Sequence, residues 1–174
     1  HLDEARYRSG QAQHAPLLAV RNLSRVGVFS DVSLSVCCGE IVGITGLLDS
    51  GRNELALALA GIVPADHGLI ELEGQKIALT RPSDAISAGI GYLPEDRLSE
   101  GLFLEKSIRE NITAAVLKRL LGCFGMIDAD KANTMADKFV TELQIATPDT
   151  TRPVQSLSGG NQQRVLLGRW LAID

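Results

Sequence analysis

The sequence predicts an α/β domain, and three observations carry the prediction. A short β-branched run, Ile41 to Thr45, ends in a glycine-containing loop, and strong helix formers follow from Arg52 to Ala60. Strand, glycine loop and helix in that order open a βα unit. Apolar strand-like segments and helical segments then alternate to about residue 96, after which apolar residues recur at helical intervals from about 104 to 146. The 174 residues suffice for one domain with a sizeable buried core.

In chain order, residues 1–16 are polar and aperiodic, with Ser9-Gly10 and Pro16, and read as a linker. Leu17 to Leu23 and Val32 to Val36 are expected strands, the second placing Val32, Leu34 and Val36 on one face. Ile41 to Thr45 has the continuous apolar character of a buried strand. A turn over Pro64–Gly68 leads into a strand over Leu69–Leu72. Pro82 suits the first turn of a helix reaching about Ala88, where its missing N–H costs nothing. Ile90 to Leu93 reads as a second buried strand, stopped by Pro94.

Ser107 and Glu110 have the spacing of a capping box, and Ile108, Ile112, Val116 and Leu120 form one helical stripe behind it. Such stripes are core more often than docking surface. Asp128 is placed to cap a further helix carrying Met135, Phe139 and Leu143. Residues 147–153 read as a loop, and a last helix is expected from about Gly160 to Leu171, with Trp170 as a core or half-buried anchor.

Composition narrows the function classes. Lys and Arg total 17 against 21 acidic residues, which argues against a nucleic-acid binder. No apolar run approaches the length of about eighteen residues that crosses a bilayer. Cys37, Cys38 and Cys123 lack disulfide or metal-ligand spacing and read as buried or half-buried thiols in a reducing compartment. His67 reads as a solvated loop residue. The start, His1-Leu-Asp-Glu-Ala-Arg, has no signal-peptide pattern and looks like a cut from a longer protein.

Two segments carry chemistry. Gly46-Leu-Leu-Asp-Ser-Gly51-Arg52-Asn53 has the frame of a phosphate-cradling loop, whose backbone N–H groups, with the following helix N-terminus, would make an anion site. Arg52 stands where a lysine would lie between phosphates, and a planar guanidinium does not fill that narrow slot. Asn53 replaces the hydroxyl that would ligate magnesium, and Asp49 places a carboxylate inside the cradle. Taken alone, this loop is equally an ordinary strand–helix connection. Leu157-Ser158-Gly159-Gly160-Asn161-Gln162-Gln163-Arg164 is more specific: Gly159 and Gly160 let backbone N–H groups approach a phosphate, the helix dipole favours the anion, and Ser158 offers a hydroxyl.

The order of these motifs resembles the nucleotide-binding domain of ABC transporters, a P-loop NTPase fold with a partial core sheet and an α-helical subdomain. In detail the chain is similar to the second, C-terminal domain of the double-cassette ATPases of bacterial sugar importers. That group has a loop similar to Gly-Leu-Val-Gly-Ala-Gly-Arg-Thr-Glu, a Pro-Glu-Asp-Arg segment, matched by Pro94-Glu95-Asp96-Arg97, and a Leu-Ser-Gly-Gly-Asn-Gln-Gln signature. The resemblance covers residues 17–174, with 98–155 as the helical subdomain that would meet the membrane subunits.

The resemblance implies ATP, with magnesium, as the cofactor. Gly46, Ser50, Gly51, Arg52, Asn53, Glu95, Ser158, Gly159, Gly160 and Gln162 are its candidate contacts. Glu95 falls at the position that senses the γ-phosphate side, and the adenine-stacking aromatic should fall between Ser24 and Asp31, where only Phe29 is available. The implied partners are an N-terminal cassette of the same protein, transmembrane permease subunits and, indirectly, a periplasmic sugar-binding protein. The implied location is the cytoplasmic face of the membrane. In the family the strand with the Walker B aspartate and the catalytic glutamate follows the signature helix, so no residue here is expected to be catalytic or to ligate metal, and self-association is expected. Other readings are an ABC ATPase outside sugar import, such as a translation or DNA-repair member, or an interaction module that does not touch nucleotide.

Overall fold

The computed structural model describes residues 15–173 apart from 48, 123 and 124 and the side chain of Arg97. Most of the expected linker, Leu48 of the glycine loop, and Cys123 therefore lie outside the described residues. The chain divides into two compact units, one ending at Asp84 and one beginning at Ala85.

The first unit is built on a four-stranded sheet: β1 (Leu18–Arg25), β2 (Phe29–Val36), β3 (His67–Leu72) and β4 (Gln75–Ile77). Their order is β2-β1-β3-β4, and every neighbouring pair is antiparallel. β1 is interior to the sheet and buries Ala19, Val20 and Leu23, while Leu18 at its start is half-buried. The β1–β2 ladder is interrupted at a polar bulge, where Asn22 and Asp31 both take left-handed backbone angles (φ 48° and 56°). Side chains stabilise it: Ser33 Oγ accepts from the Asn22 N–H at 2.9 Å, and Ser24 Oγ accepts from the Asp31 N–H at 2.8 Å. At Gly68 (φ 111°) a Cβ would come within 2.6 Å of Leu23 Cα, so only glycine lets β3 pass β1 there. His67 is thus the exposed first residue of β3 rather than a loop residue.

Helix α1 (Arg52–Leu59) buries Leu55 and Ala58. Beyond β4, Asp84 reaches back to accept from Thr80 N (3.1 Å), Thr80 Oγ1 (2.8 Å) and Arg81 N (3.0 Å), and these bonds, Thr80's hydroxyl first, hold its carboxyl below the usual range. It thereby fixes the start of α2 (Pro82–Ser87).

Two expected strands are not formed. Ile41–Thr45 and Ile90–Leu93 join no ladder among the described residues, and the first is exposed, Ile41 by 87%. A strand that is apolar on both faces forms only where neighbours pair with it on each side. The sheet described here is antiparallel and contains neither segment. β4, which sequence reasoning did not find, is a three-residue edge strand too short to show alternation.

The second unit is helical. A five-residue π-helix (Arg97–Gly101) precedes α3 (Ile108–Thr113), which continues as a 3-10 segment over Ala114–Leu120 with a kink at Val116. α4 (Ala129–Glu142) follows, capped by Asp128, and then α5 (Gly159–Leu171). The stripe Ile108, Ile112, Val116 and Leu120 is core, together with Ala136, Phe139, Val154 and Val165. Burying each of the larger side chains contributes about 1.5–3 kcal/mol. Gly168 sits where α5 meets its neighbours: a Cβ there would lie 3.3 Å from Leu143 Cδ1 and 3.5 Å from Phe139 Cβ. No helix among the described residues is long and apolar enough to cross a membrane.

Candidate functional site

The loop at Gly46 lies wholly in the first unit. Ser50 N donates to Leu47 O at 3.1 Å, closing the loop into a turn of its own, and Asp49 sits in it with φ 64°. The Ser50 hydroxyl curls over Gly46 so closely that a Cβ there would collide with it. Gly51 (φ 80°) is buried beneath the β1–β2 turn, where a Cβ would come within 2.7 Å of Val28 O. Arg52 and Asn53 begin α1 and are exposed. α1 is entered through Gly51 with no side-chain cap. Ser50 fills the space above Gly46, and neither a lysine nor a hydroxyl stands at positions 52 and 53. A magnesium–triphosphate group would find at these two positions neither the ammonium nor the hydroxyl ligand of a complete phosphate loop. Phe29, the candidate for stacking on adenine, is buried, with its Cβ beside Gly51.

The signature segment lies in the second unit, at the start of α5. Ser158 is the N-cap residue and is exposed; its side chain makes no bond to the helix's own N–H groups. Among the described residues the N–H groups of Gly159, Gly160 and Asn161 find no acceptor, while Gln162 N begins the helical ladder on Ser158 O at 3.0 Å. Nothing lies within 4 Å of where a Gly160 Cβ would be. Three N–H groups without acceptors, a hydroxyl that accepts from Asn161 Nδ2 but donates to no described residue, and the positive end of a 13-residue helix fit an anionic oxygen. Gln162, by contrast, points inward: it is buried, and its Nε2 donates to Val154 O at 3.4 Å.

Glu95 is exposed in the loop before the π-helix. Asp96, next to it, caps that π-helix by accepting from Leu98 N (2.9 Å) and Ser99 Oγ (2.8 Å). Burial raises the Tyr92 phenol above its ordinary pKa, with the carboxylates of Glu100 and Glu95 adding to the effect. Glu95 thus belongs to an acidic neighbourhood around Tyr92.

Sequence reasoning missed a polar knot under this loop. Arg169, on α5, is buried; its guanidinium donates to Asn111 O (2.8 Å), Asn111 Oδ1 (2.8 Å) and Gly101 O (2.6 Å), and stacks 5.1 Å from the Phe103 ring. Asn111 is fully buried and also binds Phe103 N and O, each at 2.9 Å, and Ser107 O at 3.0 Å. Burial lowers the Arg169 pKa, but a guanidinium remains charged, and carbonyl dipoles rather than a carboxylate compensate it. The one available signal was an asparagine between Ile108 and Ile112 on an otherwise apolar stripe.

Of the thiols, Cys37 is half-buried and Cys38 exposed, so burial was overestimated for the latter. Cys37 is pushed up by burial and by Glu40.

Solved ATP-binding cassettes of ABC transporters share the fold. One in its ADP conformation is 23% identical with a TM-score of 0.66, over 92% of this chain and 66% of that one. Another, bound to ADP and phosphate after hydrolysis, is 18% identical with a TM-score of 0.69, over 89% and 69%. The fold is that of an ABC-type P-loop NTPase domain. The family model described as ABC transporter matches residues 29–174, and the chain belongs to that family. It is 49% identical over 155 residues to the ribose import ATP-binding protein RbsA 3 of Rubrobacter xylanophilus, and 44% identical over 157 residues to the ribose import ATP-binding protein RbsA of Bacillus licheniformis. These alignments take in 89% and 90% of this chain but 31% and 32% of the relatives, so the chain spans about a third of their length.

Proposed function

We propose that this chain acts as part of the ATP-binding subunit of a sugar importer, and that its α5 N-terminus, not its own glycine loop, is the surface that meets nucleotide. Ser158, Gly159 and Gly160 complete a site whose phosphate loop belongs to a second, N-terminal cassette. The loop Gly46–Asn53 holds nucleotide weakly or not at all. The contrast within one chain carries this reading: three N–H groups without acceptors at the start of α5, against a glycine loop closed by Ser50.

Magnesium ATP, when bound, supplies the phosphoryl group whose transfer drives transport. The residues of this chain do the binding part: the N–H groups of Gly159 and Gly160 and the Ser158 hydroxyl donate to phosphate oxygens, and the helix end adds its dipole. Glu95 and the loop that follows form the contact toward permease subunits, and a periplasmic binding protein delivers the sugar to them. This places the chain on the cytoplasmic face of the membrane. The names of the relatives support the sugar class.

In the full-length subunit, Ser158→Arg fills the anion surface with a long side chain and is expected to abolish ATP-dependent sugar uptake. Arg52→Ala is expected to leave uptake nearly unchanged. Vesicle transport assays of the two variants decide the matter, and the opposite ranking would refute the proposal.

A further inference from the structure

The geometry points to Asn161 as the residue that sets the Ser158 hydroxyl with its proton facing outward, ready to donate to a ligand oxygen. Asn161 Nδ2 donates to Ser158 Oγ at 3.0 Å, and Asn161 Oδ1 accepts from Ala146 N at 3.0 Å. The second bond fixes the first. A backbone N–H is only a donor, so the atom facing Ala146 must be the amide oxygen, and the amide nitrogen must then face Ser158. A hydroxyl that accepts on that side has its single proton left for another direction. Among the described residues that proton meets no acceptor, and Ser158 itself is exposed.

Asn161 is in turn held by the loop after α4. Arg164, one turn further along α5, donates to Gln144 O at 2.5 Å, and Gln144 takes a left-handed backbone angle of φ 52°. Two side chains of α5 thus grip residues 144–146 from the same side, and Ala146 N is presented to Asn161 as a fixed point. Asn161 is a positioning residue: it acts through Ser158. The inference rests on the reading that Ser158 meets nucleotide, and it names what orients that contact.

The test is a double-mutant cycle on ATP hydrolysis in the full-length subunit, reading kcat/KM for ATP. A hydrogen bond from a neutral donor to a charged oxygen contributes about 1.5–3 kcal/mol, so Ser158→Ala is expected to lower kcat/KM roughly tenfold or more. Asn161→Ala is expected to lower it by a similar factor in the wild-type background and by nothing further in the Ser158→Ala background. Asn161→Asp guards against a folding defect. It keeps the acceptor for Ala146 N and suits a helix N-terminus, so its thermal melt stays at the wild-type temperature. Its second oxygen takes the Ser158 proton, so kcat/KM falls at least as far as in Asn161→Ala. Equal losses from Asn161→Ala in both backgrounds, or wild-type kcat/KM in Asn161→Asp, would overturn the role of Asn161 while leaving the Ser158 contact standing. Unchanged kcat/KM in Ser158→Ala would overturn the nucleotide contact, and the inference with it.

Discussion

Ser107 and Ser158 both cap helices of the second unit, and their backbones nearly coincide, at φ −62°, ψ 159° and φ −63°, ψ 156°. Around Ser107 the protein satisfies everything. Glu110 N donates to its Oγ at 3.1 Å, its own N–H donates to Glu110 Oε2 at 2.8 Å, and its hydroxyl donates to the same oxygen at 2.7 Å. The next two N–H groups of α3 are taken by the loop before α5: Ile108 N donates to Arg152 O and Arg109 N to Thr150 O, each at 2.9 Å. At α5 the corresponding groups stay open. Two things differ: Glu110 closes the first cap where Asn161 stands in the second, and the carbonyls of Arg152 and Thr150 pass over the start of α3, whereas among the described residues none takes the N–H groups of Gly159 and Gly160. A helix start closed entirely by internal bonds is a structural joint, whereas the same backbone left unsatisfied is what the proposed nucleotide contact needs.

The comparison can be broken at Ser107 more strongly than at Ser158. The largest effect is expected from Asn111→Ala, because Asn111 ties the carbonyl of Ser107 to the Phe103 backbone and to Arg169. Removing it strands several buried polar groups and a guanidinium, and urea denaturation should show a loss of about 3 kcal/mol. Next comes the direct exchange of the two caps. Ser107→Ala should cost about 1 kcal/mol of stability. Ser158→Ala should stay within about 0.5 kcal/mol, as an exposed change that loses no capping bond. Equal losses would remove the distinction between joint and surface.

The smallest effect is in pH. The Glu110 carboxyl is held below its usual range, first by the Ser107 hydroxyl and then by the Ser107 backbone. A carboxyl whose pKa is depressed in the folded state stabilises the fold above its unfolded value, near 4.5, and loses that contribution as pH falls through the folded value. Melting curves below pH 4.5 should therefore decline less steeply for Glu110→Gln than for the wild type, the group being mostly exposed and its contribution modest.

The capping box at Ser107 was legible because both partners lie within four residues, and so was the Asp128 cap. The apolar stripe of α3 and the boundaries of α1 and α5 were legible for the same reason: their periodicity is local. What failed was non-local. Ile41–Thr45 and Ile90–Leu93 have strand composition, but pairing depends on neighbours that composition does not reveal. The Asn111–Arg169 knot joins residues 58 apart in sequence and could not be read from either one. Of the candidate residues, Ser158, Gly159 and Gly160 were picked out by their motif, and they are exposed or half-exposed. Gln162 shares the motif yet faces the interior, because the helical turn carries it round toward Val154. Asn161 was in view throughout, but its orientation depends on Ala146, which no motif mentions.

The chain contains a single tryptophan, and the place it occupies has an optical consequence. Trp170 is partly buried, its indole lies against Gly91 closely enough that a Cβ there would approach its Cε3 to 3.1 Å, and its buried Nε1 has no partner among the described residues. Gly91 lies four residues before Glu95, and Trp170 stands on the same helix as Ser158. Excited at the red edge, where tyrosine does not absorb, the chain's tryptophan fluorescence is therefore a one-site signal, coming from the seam between the signature helix and the segment that leads to Glu95. Any shift of that segment against the helix changes the polarity around one indole, so the molecule carries its own reporter without an attached dye.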